Sequence, residues 1–166
     1  MKIIELFEAI RPAYLYHSTT IKHASSIILG DEIKAMTAHT IDAFDIGKKY
    51  AMDKYKDTIL GISLTRSLPF ARSWDDVVFV LNQEKLRQKY KMIEIDYNEE
   101  RWNTHAHGEA EEFLIGSIKP LSKYLIKILI SDDNYNYAKN SIYKSILKHP
   151  KIEIQGKKWE NGLVTN

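Results

Sequence analysis

Three short segments hold the residue types that could do chemistry. Leu15-Tyr16-His17-Ser18-Thr19 puts a histidine at the end of an apolar stretch and follows it with hydroxyls, the composition of a strand end that faces a ligand. Gly61-Ile62-Ser63-Leu64-Thr65-Arg66 reads as a hydroxyl-bearing strand that ends on an arginine, and such an arginine can grip a pyrophosphate with two parallel hydrogen bonds. A solvated face is the equal alternative for Arg66, and Arg72 divides the same way. Glu109-Ala110-Glu111-Glu112-Phe113-Leu114 gathers its glutamates directly before an apolar run. A charge cluster is ordinarily a solvated patch, but the entrance to a buried strand is a poor place for unneeded charges. Together the segments point to chemistry on a nucleotide.

Periodicity supplies the elements that must position them. Ile3, Leu6, Phe7 and Ile10 share one helical face, and Arg11-Pro12 ends that helix before the extended stretch 13–17, so that His17 closes a strand. Thr19 or Thr20 can cap a helix that turns Ile21, Ala24, Ile27 and Ile28 inward, with Gly30 at its C-terminal cap. Residues 41–57 read as a mobile or partly helical insertion. Stretch 60–64 is a short strand, 77–81 a fully buried one, and Asn82 caps a short helix through Tyr90. Residues 92–97 alternate like a half-exposed strand, and 98–110 form a long polar loop over a site. Strands follow at 112–115 and 124–130, the latter with Lys127 outward. A last helix over about 134–148 buries Tyr137, Ile142, Tyr143 and Ile146, and 151–155 alternates again. Many short strands with a few helices at their sides imply an α+β fold.

Bulk properties narrow the class. A chain of 166 residues, 44% hydrophobic, is long enough for one domain with a sizeable core and short for two, so residues 1–166 are expected to form a single domain. The lack of cysteine excludes disulfides, thiolate metal sites and a cysteine nucleophile, and it fits a reducing compartment. With 24 basic against 22 acidic residues there is no general polyanion footprint, although local basic patches remain open. Acids interrupt the first apolar run and no apolar run approaches membrane-spanning length, so a soluble, cytoplasmic protein without a membrane partner is expected.

In combination the three segments resemble the ADP-ribosyltransferase superfamily, particularly its small phage-encoded members, over roughly residues 13–130. That resemblance implies split, mostly antiparallel β-sheets with helices packed at the sides, and NAD as co-substrate. Leu15–Thr19 resembles the family's first motif, which implies that His17 hydrogen-bonds a ribose of NAD, with Ser18 or Thr19 helping to hold the adenosine side and Tyr16 also among the cofactor-binding residues. Ser63, Leu64, Thr65 and Arg66 resemble the second motif, whose strand backbone clasps the nicotinamide amide. Ser63 stands where an aromatic is common, as in toxin-like members, which usually carry arginine in the first motif. The third motif is the catalytic glutamate, matched by Glu112 and, second, Glu111, with Glu109 and Glu111 as the two-apart pair that orients acceptors. Departure of nicotinamide leaves an oxocarbenium-like ribose, and a carboxylate on the ribose hydroxyl stabilises that charge and can deprotonate the acceptor.

The resemblance implies mono-ADP-ribosylation of a macromolecule, a host protein or nucleic acid, in the host cytoplasm if the chain is viral. Related tRNA 2′-phosphotransferase chemistry would need a basic pocket, for which only Lys34, Arg66 and Arg72 are evident. The alternative of another class is a non-catalytic nucleotide- or partner-binding module that inhibits a host factor. His105, His107 and Glu109 could be written as a metal site, but no third histidine or cysteine at ligand spacing supports it, and none is expected. Tyr14, Tyr16 and Trp74 could stack on a ring, with packing the commoner use. Tyr135, Tyr137 and Tyr143 among lysines could make a nucleic-acid face, with a helix that packs one aromatic side inward as the plainer account.

Overall fold

The alternating and apolar stretches pair into one sheet in the computed structural model, which describes residues 13–37, 60–96 and 110–165. The strands are β1 (Tyr14–Thr19), β2 (Met36–Thr37), β3 (Leu60–Thr65), β4 (Val77–Asn82), β5 (Met92–Asp96), β6 (Ala110–Ile115), β7 (Leu125–Ile130) and β8 (Ile152–Ile154). Their order is β5-β6-β3-β1-β4-β7-β8, with β2 also paired to β3. Every pairing is antiparallel except β7 with β8. Among the described residues four α-helices accompany the sheet: α1 (Ile21–Gly30), α2 (Leu68–Trp74), α3 (Gln83–Lys89) and α4 (Asp132–Lys139). The fold is α+β.

Side chains alternate across each strand, so the sheet builds two cores. On one face Leu15, Leu64, Phe79, Leu81, Leu114 and Ile128 pack with Ile21 and Ala24 of α1 and Leu86 of α3. On the other Val78, Val80 and Leu129 pack with Ala71 of α2, Tyr16 and Trp159. β4 is buried on both faces from Val77 to Leu81, as its unbroken apolar run requires.

Helix starts follow side-chain caps. Thr20 Oγ1 accepts from the His23 N–H, and Asp76 Oδ2 accepts from the Ile21 N–H. Asn82 Oδ1 caps α3 through the Lys85 N–H, and Ser131 Oγ caps α4 through Asn134.

Several expectations are corrected. His17 does not close its strand, because β1 runs on through Ser18 and Thr19, both paired with β4. The left-handed residue after α1 is Asp31, φ 49°, while Gly30 is still helical. Glu111 and Glu112 lie inside β6, which begins at Ala110. The helix expected over 134–148 breaks at Asn140. There the Asn140 side-chain amide donates to the Asn136 carbonyl and Ser141 Oγ donates to that of Ala138, and the chain resumes as a 3-10 helix at Lys144–Lys148. Tyr137 and Ile142 are consequently exposed, not buried, whereas Ile146 is in the core.

Two elements were not anticipated. Ser67 caps α2 through the Phe70 N–H with Pro69 in the first turn. Asn161 and Gly162, both at positive φ, turn β9 (Lys158–Glu160) into β10 (Leu163–Thr165). The expected helix over 3–10, insertion over 41–57 and loop over 98–109 lie outside the described residues. Among the described residues no helix is long and apolar enough to cross a membrane.

Candidate functional site

β1, β3 and β6 bring the three segments side by side. β6 covers one edge of β3 from Gly61↔Ile115 to Thr65↔Glu111. A strand has two edges, so β2 and β1 must share the other: β2 meets it at Leu60 and Gly61, and β1 meets it through Tyr16↔Thr65. Between these points, from Ile62 to Leu64, no strand among the described residues pairs with that edge.

His17 stands beside this edge. Its Nδ1 lies 3.3 Å from the Ser63 carbonyl oxygen. A carbonyl only accepts, so the ring proton sits on Nδ1 and Nε2 keeps its lone pair. Burial pushes the His17 pKa below its ordinary 6.5, against a weaker upward pull from the Ser63 bond. The result is a neutral imidazole whose Nε2 can accept from a hydroxyl. The ring also leans on Phe79, 6.5 Å between centroids, which joins it to the core.

The neighbouring motif residues are divided between exposed and packed positions. The Ser63 side chain is exposed, while Leu64 belongs to the core. Ser18 Oγ donates to the Ala71 carbonyl at 2.7 Å and fastens β1 to α2. Thr65 Oγ1 accepts from the Ser67 N–H at 3.0 Å and shapes the turn into α2, and Thr19 is buried. Tyr16 packs half-buried against the second core, where burial raises its hydroxyl pKa with a further push from Tyr14 and a partial offset from Arg72.

Glu112 is 0% exposed. Its Oε1 accepts from Arg87 at 2.7 Å and from Gln83 Nε2 at 3.1 Å, both on α3, and Arg66 Nε stands 3.7 Å away. The carboxylate therefore ties β6, the end of β3 and α3 together. Arg66 turns toward Glu112, while Arg72 hydrogen-bonds the Gln155 side chain and lies over the Trp159 ring, 5.8 Å from its centroid. The backbone of Glu111 is in register with Thr65 and Ile95. Glu109 lies outside the described residues, as do His105 and His107. Among the described residues no group of three histidine, aspartate or glutamate side chains could hold a metal.

Gln83 and Arg87 were missed from the sequence. Their spacing of four places both on one side of a short helix, but nothing local marks a partner on a strand 25 residues on. Two surface grooves lie elsewhere. One of about 290 Å³ runs between Arg72, Trp74, Asp75, Asp133 and Trp159, and one of about 180 Å³ between Tyr14, Tyr16, Leu68, Lys127 and Gln155. Neither reaches His17 or Glu112. No protein-family model, curated protein or solved structure matches the chain.

Proposed function

We propose that the chain is an NAD-consuming mono-ADP-ribosyltransferase on an ADP-ribosyltransferase-like split sheet, acting on a protein or nucleic acid in the cytoplasm. The observation that carries this is the adjacency of β1, β3 and β6. Three segments far apart in sequence are neighbouring strands there, with a neutral histidine of β1 beside the Ser63 carbonyl of β3. The residues suit one part of NAD: Nε2 of His17 can accept from a ribose hydroxyl. They suit its pyrophosphate less, because Arg66 is turned toward Glu112.

NAD supplies the ADP-ribosyl group and the nicotinamide leaving group. A carboxylate must face the positive charge that grows as nicotinamide departs. Glu112 shares a face of the sheet with His17, through Leu64, so in this scheme its carboxylate takes that role, with Arg87 and Gln83 orienting it. The experiment is incubation with NAD labelled in its adenylate part, together with host extract. Label on a macromolecule and release of nicotinamide are expected, and neither signal with any acceptor sinks the proposal.

The enclosure of Glu112 also favours a second possibility, a binding module that keeps the fold and inhibits a host factor without turnover. Such a protein, once shown to be folded, captures its partner equally well after Glu112→Gln, whereas the enzyme loses turnover while NAD binding persists.

A further inference from the structure

Between residues 117 and 158 nine lysines stand against three acids, in a chain whose net charge is only +2. Three of those lysines are neutralised: Lys119 by Glu32 at 3.3 Å, Lys127 by Glu153 at 2.6 Å and Lys158 by Glu160 at 2.9 Å. Lys139, Lys144 and Lys148 are different. All three are exposed, and no carboxylate among the described residues pairs with them.

They belong to an ordered element. Lys139 ends α4, and Lys144 and Lys148 bound the 3-10 helix that packs back against it. The Asn140 N–H reaches the carbonyls of Asn136 and Tyr137, the Tyr143 N–H reaches Ser141 Oγ, and buried Ile146 pins the segment to the core. Tyr135 and Tyr143 pack against that core, but Tyr137 is 62% exposed and Ile142 85%. Uncompensated cations on a fixed scaffold, with a flat aromatic presented among them, match a chain of phosphates bearing bases.

We propose that the segment from Tyr137 to Lys148 binds single-stranded nucleic acid, with Lys139, Lys144 and Lys148 on phosphates and Tyr137 stacked on a base. An anionic membrane surface fits less well. An interfacial helix needs a broad apolar face, and here Ile142 is the one exposed aliphatic side chain between Asp132 and Lys148, while Asp132 and Asp133 open α4. The proposal does not depend on NAD chemistry, so either can fail alone.

The test is fluorescence anisotropy with a labelled oligouridylate of about 20 nucleotides, titrated from about 50 to 200 mM KCl without NAD. Three phosphate contacts on a single strand give a log–log slope near about −2, an affinity loss of about 20-fold across that range. The triple variant Lys139→Ala, Lys144→Ala, Lys148→Ala flattens the slope by about 2. Tyr137→Ala weakens binding about tenfold at every salt concentration and leaves the slope unchanged. All four side chains are exposed, so circular dichroism is expected to show each variant folded. Three results overturn the proposal: no saturable binding at the lowest salt, a slope that the triple variant does not change, or binding to phosphatidylserine vesicles with none to the oligonucleotide.

Discussion

Arg87 holds a guanidinium nitrogen 2.7 Å from Oε1 of Glu112, a carboxylate with no exposed surface. Replacing such a pair with apolar groups is often neutral, but removing one partner strands a charge and costs about 3–5 kcal/mol. Glu112→Gln therefore lowers the free energy of unfolding, measured by urea titration, by an amount in that range. The double variant Glu112→Leu, Arg87→Met recovers much of the loss, with Arg66 and Gln83 limiting the recovery. An unchanged midpoint for Glu112→Gln would show that the pair does not hold β6 to α3.

On the proposed mechanism, Glu112→Gln also lowers nicotinamide release by about 100-fold or more where the variant remains folded, because the carboxylate that would face the developing charge is gone. Circular dichroism and nicotinamide release on the same sample decide it. Normal turnover by the folded variant removes Glu112 from that mechanism.

His17 makes stability depend on pH. Its pKa in the folded protein is lowered, first by burial, so below its ordinary 6.5 the unfolded chain binds more protons than the folded one. The contribution is full above 6.5 and is lost as pH falls through the lowered folded value. His149 acts in the same direction through burial and the nearby charge of Lys151. His17→Gln keeps an N–H donor for the Ser63 carbonyl and cannot titrate, so its thermal midpoint falls less steeply than the parent's on acidification from about pH 7 to 5. Parallel curves for the two proteins would contradict this.

The sequence disclosed the local elements better than the site. The run Val77–Leu81 could be little but a strand buried on both faces, and Thr20 and Asn82 announced their helices because a cap is a contact between residues three apart. The same local chemistry would have found α2, through Ser67 and Pro69, and the β9–β10 turn, through Asn161-Gly162. The break at Asn140 escaped because Tyr137 and Ile142 fit a helical stripe, while the competing side-chain bonds of Asn140 and Ser141 do not enter a hydrophobic pattern. The order β6-β3-β1, the His17–Ser63 contact and the enclosure of Glu112 depend on pairing between distant segments, which no periodicity encodes. Resemblance brought the three segments together in sequence order, and the burial of Glu112 is visible only with α3 in place.

Gly61 is where β3 can least tolerate a side chain. It pairs with Ile115 on one edge and Met36 on the other, and a Cβ there would overlap the Phe113 ring and come within 2.6 Å of the Leu114 carbonyl. The ring can be made smaller, but the carbonyl is fixed by the ladder. Gly61→Ala therefore destabilises by about 1–3 kcal/mol, the usual range for overpacking a filled core. In a Phe113→Leu background the same substitution costs less without becoming neutral, because only the ring part of the overlap is relieved. A double-mutant cycle of urea midpoints measures the difference. An identical cost in both backgrounds would place the obstruction in the β6 backbone alone, and no loss at all would mean that β3 and β6 do not approach as closely as the pairing of Gly61 with Ile115 requires.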